Sequence, residues 1–399
     1  MRSRSQTRLC REGWYLLFVL TFVILGAMIR DINLLFIVGG MMLGPLLYDA
    51  HAAVVSLRGL QVRRTLPESI CAGDLLVVGV AIQNTRARFT SRAIVVDDRI
   101  RSEAGSGRGS QATASVLFPR VAPDETSHLN YHGHVPQRGV YRFGPLRVST
   151  RFPLGLVRST AAISDRATLT VFPRLGTLTP AWRKLHQMAH VGSRQYQPRQ
   201  GMTEADFYSL RDWQTGDSQR WIHWRTSARR GSLVVRQFEQ KQQQDLLLLV
   251  DLWRPVRPNE DDLRRVEMAV GFAATVAADM CRSGGSRLDL GIAGRDLSLL
   301  GGTASAGFLD DALRRLAIVE SGASEQLADL IAGGCARAAP STAAVLVTTR
   351  EVDLSEPRLA SAISSGNGAV ATRRMVVAQC DTDSLRQYFH WSPPEVAAR

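Results

Sequence analysis

Apolar and polar positions follow three different patterns along the chain, and each pattern predicts a different kind of structure. Two long apolar runs come first, at residues 14–29 and 32–48. Short alternating runs broken by turn residues then occupy 57–173 and predict β-strands. Beyond residue 245, continuous apolar runs alternate with stretches of helical periodicity, which is typical of an α/β domain. The sequence therefore predicts a multidomain protein in which an all-β part precedes an α/β part.

The two apolar runs predict a transmembrane helical hairpin. Each run is at or just below the shortest length that crosses a hydrocarbon core of about 30 Å at 1.5 Å per residue, and only Arg30 and Asp31 separate them. A signal peptide accounts for the first run but leaves the second without explanation. Arginines flank both outer ends of the pair, at Arg2, Arg4, Arg8, Arg11, Arg58, Arg63 and Arg64. This distribution predicts a multi-pass protein of the inner membrane with cytoplasmic N- and C-termini.

The alternating region predicts an antiparallel β-sandwich. Its strands recur roughly every ten residues without a long helical pattern between them, which is typical of that architecture. The predicted strands lie at 75–82, 93–97, 114–118, 128–135, 140–143, 146–149 and 168–172. The predicted domain boundaries are 1–56 for the N-terminal arm and membrane helices, 57–175 for the sandwich, 176–244 for a connector and 245–399 for the α/β domain.

The α/β part predicts a doubly wound sheet with right-handed crossovers. Strands are predicted at 245–251, 288–292, 343–348 and 374–379, and helices at 261–282, 313–319, 325–335 and 359–364. Asp251 and Arg254 lie where the first strand ends, and ligands of open α/β sheets commonly bind at such an edge. An acid at the end of a strand also often has a structural role, bonded to loop amides.

The connector contains a segment dense in charged and aromatic residues. A helix is predicted at 218–230, with Asp217 or Ser218 as its N-cap and Gly231 at its C-terminal end. A strand is predicted to follow at 233–238. One apolar face of the helix carries Trp221, Trp224 and Ala228. An ion pair of Asp217 with Arg220 or Arg229 is the expected means of locking this segment in place.

The spacing of this segment closely resembles the hallmark of the bacterial membrane proteins called the domain-of-unknown-function 58 family. The residues that carry the resemblance are Arg211, Gly216, Asp217, Arg220, Trp224, Ser227 and Arg229. The segments 138–146 (RGVYRFGPL) and 152–156 (FPLGL) also fit, although Phe152 stands where the family commonly has an Asp. The resemblance implies a membrane hairpin, a β-sandwich and a von Willebrand factor A-like domain. It also implies a MoxR-type AAA+ ATPase and a transglutaminase-like membrane protein as partners.

Domains of the von Willebrand factor A type bind Mg²⁺ through an Asp-x-Ser-x-Ser loop, a Thr and a later Asp. Here Asp251 keeps the first position, but Trp253 and Pro255 replace the two serines. Arg350 stands where the later Asp is expected. Since Mg²⁺ requires oxygen ligands, Asp251 is interpreted as the remnant of a degenerate metal loop, and neither a metal nor another cofactor is predicted.

Charge and cysteine content refine the choice of partners. The formal net charge is +13, but the arginines are spread along the whole chain instead of clustering with aromatic residues. This distribution indicates a surface near an anionic lipid bilayer, and no nucleic-acid partner is predicted. The five cysteines are odd in number, scattered and free of any CxxC motif, which indicates a reducing compartment.

These observations favour a membrane-anchored protein-binding adaptor or assembly factor. The alternative is a membrane-associated hydrolase or transferase that uses the cluster from Gly216 and Asp217 to Arg229. The sequence contains no Gly-rich phosphate loop, no Ser elbow and no His/Cys metal spacing, so no catalytic residue is assigned. A purely structural role in assembly of the cell envelope is a third hypothesis.

Overall fold

The computed structural model describes residues 5–30, 32–103, 111–191, 207–215, 217, 219–238, 245–339, 342–364, 375–380, 385 and 387–391. The chain is a mixed α/β protein with two apolar N-terminal helices and several sheets. It divides into two compact units. The first comprises Met1–Gly176, Leu313–Glu320 and Trp391–Arg399, and the second comprises Thr177–Ala312 and Ser321–His390.

The first unit begins with strand β1 (Ser5–Leu9), followed by helices α1 (Arg11–Arg30) and α2 (Asn33–Leu57). Both helices are long and apolar enough to cross a membrane. Most of their apolar side chains face outward, and Met41, for example, is 72% exposed. Because so large an apolar surface is unfavourable in water, these two candidate membrane spans suggest membrane association.

Helix α2 extends past the predicted apolar run and is bonded to the β-strands of its own unit. Asp49 is fully buried and accepts hydrogen bonds from the backbone N–H groups of Leu154 at 2.8 Å and Val157 at 2.7 Å. Arg86 Nη1 donates to the carbonyl of Val55 at 2.7 Å, one of the groups that a helix end leaves without an intrahelical partner. Charged groups therefore fasten the second apolar helix to the sheets.

The remaining strands of the first unit form two sheets. They are β2 (Leu60–Thr65), β3 (Ile70–Cys71), β4 (Leu75–Asn84), β5 (Ser91–Ser102), β6 (Gln111–Val121), β7 (Thr126–His134), β8 (Gly139–Phe143), β9 (Leu146–Thr150), β10 (Val157–Ile163) and β11 (Ala167–Phe172). One sheet has the order β2-β4-β7, and the larger has the order β1-β10-β9-β5-β8-β11-β3 with β6 paired to β5. Each strand predicted in this region falls on an observed strand, whereas β1, β2, β3 and β10 were not predicted.

A single hydrophobic cluster receives side chains from both sheets of the first unit. It encloses an ion pair in which Arg64 Nη1 lies 2.7 and 2.9 Å from the two carboxylate oxygens of Asp98, and both side chains are only 1% exposed. The Tyr131 hydroxyl donates to the same carboxylate at 2.8 Å. Buried charges persist when they are paired and hydrogen-bonded in this way. Arg64, which the sequence indicated as a charge flanking the membrane, is therefore part of the core.

The chain from Thr177 onward alternates short strands and helices. Its elements are β12 (Thr177–Leu178), α3 (Pro180–Val191), β13 (Phe207–Asp212), α4 (Trp224–Arg230), β14 (Val234–Phe238), β15 (Leu246–Asp251), α5 (Glu260–Ser283), β16 (Arg287–Ala293), β17 (Leu297–Thr303), α6 (Ala306–Ile318), α7 (Leu327–Arg337), β18 (Ala343–Thr348), α8 (Pro357–Ser364), β19 (Val376–Gln379) and β20 (Phe389–His390). Helix α6 begins seven residues before the predicted start at 313, because the Ser305 hydroxyl accepts a hydrogen bond from Phe308 N and its carbonyl one from Leu309 N.

The sheet of the second unit has the order β17-β16-β15-β18-β19. Its strands are parallel except for β17, which runs antiparallel to β16 and was not predicted. Every residue of β15 is buried. Leu247 and Leu249 pack with residues of α7 and α8 on one face, and α5 also contacts β15 and β18. The predicted parallel strands and the helices between them are thus present, and the carboxyl ends of β15 and β18 lie side by side.

Candidate functional site

The charged and aromatic segment of the connector folds around a pair of antiparallel strands, β13 and β14, with α4 between them. The helix predicted at 218–230 is wrong at its start, because a 3₁₀ turn covers Gln219–Trp221 and α4 begins only at Trp224. His223 is the N-cap, and its Nδ1 accepts a hydrogen bond from Thr226 N at 3.3 Å. The predicted cap Asp217 does not have this role, because its carboxylate binds Arg211, and the other predicted cap, Ser218, lies outside the described residues.

Asp217 forms a two-pronged ion pair with Arg211. The distances are 2.6 Å from Nη2 to Oδ1 and 2.7 Å from Nη1 to Oδ2, and Gln214 N donates to Oδ2 at 2.9 Å. The hydrogen bonds from Arg211, followed by that from Gln214, hold the pKa of the Asp217 carboxyl below its ordinary value. The expected partners Arg220 and Arg229 are therefore wrong, because the turn after β13 folds the Asp217 carboxylate back onto the Arg211 guanidinium. Gly216 lies outside the described residues.

Ser227 fastens α4 to the following strand. Its side chain is buried and accepts a hydrogen bond from Val234 N at 2.9 Å while it donates to the His223 carbonyl at 3.1 Å. The helix ends at Gly231 as predicted, with φ of +70° and its N–H bonded to the Ser227 carbonyl at 2.9 Å. A left-handed conformation of this kind is the usual reason for glycine at a helix end.

Replacement of Ser227 by alanine is expected to destabilise the β13–β14 region by about 1–3 kcal/mol, because the buried N–H of Val234 loses its acceptor. Hydrogen exchange of the Val234 amide, followed by mass spectrometry, measures the change. The exposed Ser232 provides the matched control, since Ser232→Ala removes a hydroxyl from the same segment without burying an unpaired donor. Equal exchange rates in the two variants would show that the contact does not hold the helix in place.

The predicted apolar face of the helix is wrong. Trp224 is 66% exposed, Ala228 is also exposed, and Trp221 belongs to the separate 3₁₀ turn. Ile222 takes the inward position instead, where it is buried and pairs with Val235. The outward side chains of this segment, called the signature surface below, are Arg220, Trp224, Arg225 and Arg229. The structure thus separates the signature residues into a hydrogen-bonded set, Arg211, Asp217 and Ser227, and an exposed basic and aromatic surface.

A second cluster lies at the carboxyl ends of β15 and β18. Asp251 is buried, and its Oδ2 lies 3.2 Å from Arg350 Nε and 3.2 Å from the Thr348 hydroxyl that donates to it. The Arg350 guanidinium also lies 5.2 Å from the centre of the Trp253 ring and donates to Glu325 at 3.2 Å. Arg350 therefore fills the space beside the acid with its own positive charge.

In this cluster, burial and hydrogen-bonded neighbours have opposite effects on the pKa of Asp251. Burial raises the pKa of the Asp251 carboxyl, while the charge and hydrogen bond of Arg350 and the hydrogen bond of Thr348 act in the opposite direction. The residues present do not fit a bound Mg²⁺, because a guanidinium occupies the position beside the carboxylate and Trp253 offers no oxygen in its side chain. Within the described residues no group of three or more His, Cys, Asp and Glu side chains is arranged to hold a metal.

Arg254, the other candidate at this edge, is tied to a neighbouring loop. Its backbone N–H donates to the Gly322 carbonyl at 2.9 Å, and its Nε donates to the Ser321 carbonyl at 3.2 Å. These bonds fix the loop after β15. The sequence placed Asp251, Arg254 and Arg350 at the correct strand ends, but the partner of each is distant in sequence and was not predictable from spacing.

The family model described as "Protein of unknown function DUF58" matches residues 209–328, which contain the signature surface and the end of β15. The uncharacterized protein YeaD of Bacillus subtilis (strain 168) is 30% identical over 208 residues, which cover 51% of this chain and 51% of YeaD. The chain therefore matches about half the length of this relative.

Solved structures show only distant similarity. A β-glucosidase from Listeria innocua in complex with gluconolactone is 14% identical and covers 28% of this chain and 16% of its own, with a TM-score of 0.20. The putative ApaA protein from Bordetella pertussis is 15% identical and covers 28% of this chain and 93% of its own, with a TM-score of 0.21. Similarities at these scores do not bear on fold or function.

Proposed function

We propose that this chain is a membrane-anchored protein-binding adaptor or assembly factor that contacts its partner through the signature surface. The observation that carries the proposal is the exposure of Trp224 beside Arg225 and Arg229 on α4. The hydrogen bond from Val234 N to the Ser227 hydroxyl holds this helix in place. Tryptophan and arginine are the residue types most enriched at binding hot spots. A rigidly mounted, exposed tryptophan among arginines is therefore suited to anchoring a partner protein.

The charge of the signature surface favours an acidic partner surface, because complementary charges steer association and fix its orientation. The resemblance to the DUF58 proteins names the class of partner that fits the proposal, a MoxR-type AAA+ ATPase, with a transglutaminase-like membrane protein as a second component. In this proposal α1 and α2 form a membrane hairpin with both ends in the cytoplasm, where an ATPase has access to the second unit.

Two further assignments belong to the proposal. The two sheets around one core support a β-sandwich that acts as a spacer. The β17-β16-β15-β18-β19 sheet supports a von Willebrand factor A-like domain whose metal position has been replaced by the Asp251–Arg350 pair. Partner binding by such a domain uses side-chain contacts in place of a bridging metal ion.

The contacts of the charged groups favour binding over catalysis. Asp217 is engaged by Arg211, and His223 Nδ1 is engaged by Thr226. The Asp217 carboxylate and His223 Nδ1 therefore already have partners within the chain, and these bonds stabilise the local fold. The enzyme hypothesis makes a different prediction, since an Asp217→Ala variant that keeps its fold and loses a measurable turnover would support a hydrolase or transferase.

Replacement of Trp224 by alanine is expected to weaken binding of the AAA+ ATPase by roughly 30-fold or more, the effect of removing a hot spot worth about 2 kcal/mol. Recovery of the ATPase with full-length protein, crosslinked in its native membrane, measures the effect. Val256→Ala is the control, because Val256 is 85% exposed and lies outside the signature surface. Undiminished recovery with Trp224→Ala would exclude the signature surface as the binding site.

A further inference from the structure

The outer face of the larger sheet in the first unit carries a cavity of about 620 Å³. Among its described lining residues, Arg99, Arg101, Arg142 and Arg166 face a single acid, Glu103. This arrangement, called the arginine pocket below, has no part in the proposed function. Residues 142–145 of the RGVYRFGPL segment at 138–146 line this pocket.

The register of the strands places two of these arginines face to face. Arg101 on β5 pairs directly with Arg142 on β8, and Arg142 pairs with Thr168 on β11. Adjacent strands lie about 4.8 Å apart, and like charges directly opposite each other destabilise a sheet. Among the described residues, the ion pair of Glu103 with Arg142 at 2.5 Å neutralises one of the two arginines. An anion bound between the two arginines would relieve the remaining repulsion.

Gly144 permits the close approach of two chain segments that places Arg166 in the arginine pocket. Its φ is +96°, and a Cβ at this position would lie 2.2 Å from the Asp165 carbonyl oxygen. Only glycine therefore permits the turn after β8 to approach the backbone that leads into β11. Arg166, the residue after Asp165, consequently lines the same cavity as Arg142.

We infer that the arginine pocket binds a compact phosphorylated anion with a diphosphate group. Guanidinium forks bind phosphoryl oxygens through paired, charge-assisted hydrogen bonds, and the volume lies within the range of about 300–1,000 Å³ typical of small-ligand sites. An extended acidic peptide places carboxylates on one face about 6.6 Å apart, so its charge is more dilute. A diphosphate group concentrates its negative charge within the one cavity that the four arginines line.

The position of the pocket favours a soluble ligand over a lipid headgroup. Strand β10 begins at Val157, which is bonded to Asp49 of α2, and runs away from that contact to Ile163. The six steps from Val157 to Ile163 span about 20 Å at 3.3 Å per step, and Arg166 follows three residues later. The pocket therefore lies at the end of the sheet opposite the α2 contact.

Calorimetric titration of the full chain in detergent with sodium pyrophosphate at low salt tests the inference. We expect saturable binding that Arg142→Gln and Arg101→Gln each weaken roughly tenfold or more, because each loses a charge-assisted pair. Arg147→Gln is the matched control, since Arg147 is an exposed arginine on β9 outside the cavity, and it should change the affinity less than twofold. Glu103→Gln should tighten binding several-fold, an effect of opposite sign that a general loss of folding does not produce.

Three results would overturn the inference. They are the absence of saturable pyrophosphate binding, an equal loss of affinity with Arg147→Gln, and tighter binding of a glutamate-rich peptide than of pyrophosphate. Competition by vesicles that contain phosphatidate would show that the ligand is a lipid headgroup and would contradict a soluble ligand. Thermal unfolding of each variant, followed by circular dichroism, verifies that the affinities compare folded proteins. None of these outcomes depends on the signature surface, so the inference and the proposed function fail independently.

Discussion

Arg350→Met is expected to lower the free energy of unfolding of the sheet in the second unit by about 3–5 kcal/mol at neutral pH, because it leaves a buried carboxylate without its cation. Asp251 is buried and has Arg350 as its charged partner. Burial already raises the pKa of Asp251, and loss of Arg350 removes the strongest influence in the opposite direction. The folded state of the variant therefore binds the Asp251 proton more tightly than the unfolded state does. Its stability falls as pH rises above the ordinary aspartate pKa of about 3.9, and the loss diminishes as pH is lowered toward 4.

Urea-dependent hydrogen exchange of the β15 and β18 peptides at pH 4.5 and pH 7 measures this effect in the full chain. The double variant Asp251→Asn, Arg350→Met is the control, since removal of both charges should recover most of the stability that the single change loses. If the single and double variants are equally unstable at pH 7, the unpaired charge is not the cause, and lost packing of Arg350 on Trp253 is the explanation instead.

Arg64→Met is expected to destabilise the first unit by a similar amount, about 3–5 kcal/mol, because Asp98 then keeps a buried charge with Tyr131 as its one remaining side-chain donor among the described residues. Arg64 also donates to the Asp165 carbonyl at 3.0 Å and lies 5.3 Å from the centre of the Phe143 ring. The loss therefore reaches both sheets of the unit. Urea-dependent hydrogen exchange of the β5 and β8 peptides in the full-length protein measures the change.

The neighbouring Arg63 offers a matched control for this experiment. Its side chain is exposed on the same strand, so Arg63→Met removes the same charge from the same region without breaking a buried pair. We expect a change within about 0.5 kcal/mol for Arg63→Met, the usual range for surface substitutions. Equal destabilisation by the two substitutions would contradict a core role for Arg64 and return it to the set of charges that flank the membrane helices.

The elements of the α/β part were predictable because their apolar patterns are strong. The continuous apolar run of β15 and the long amphipathic pattern of α5 fall almost at their predicted positions. The antiparallel edge strand β17 was missed because its residues Leu297–Thr303 include two glycines and are mostly half-exposed, which weakens the pattern. Strand β10 was missed for a related reason, since small residues occupy much of its length. Apolar periodicity identifies a buried face only where large side chains cover it.

The candidate sites were predictable as residue sets but not as contacts. Asp217, Ser227 and Asp251 were singled out from the sequence, yet their partners Arg211, Val234 and Arg350 follow from the fold. Asp251 and Arg350 are 99 residues apart and meet only because β15 and β18 are adjacent parallel strands. Periodicity indicates which face of an element is buried and carries no information about which distant charge pairs with it.

Asp49 of α2 is a second residue whose contacts the apolar pattern does not indicate. An apolar pattern predicts that the helix contacts lipid, and an aspartate just beyond the run marks only its end. In the structure Asp49 is fully buried and accepts two backbone hydrogen bonds from the segment after β9. Leu154 belongs to the FPLGL element at 152–156 and Val157 follows that element directly, so α2 is bonded both to one of the family-like motifs and to the start of β10.

Site-specific photo-crosslinking tests binding through the signature surface most directly. A benzoylphenylalanine is placed at position 224 of the full-length protein in its native membrane, and a second protein carries it at position 256, which is even more exposed and lies outside the signature surface. We expect a light-dependent adduct with a MoxR-type AAA+ ATPase from position 224 and none from position 256, identified by mass spectrometry. An ATPase adduct from position 256 alone, or no ATPase adduct from either position, would contradict the proposed function.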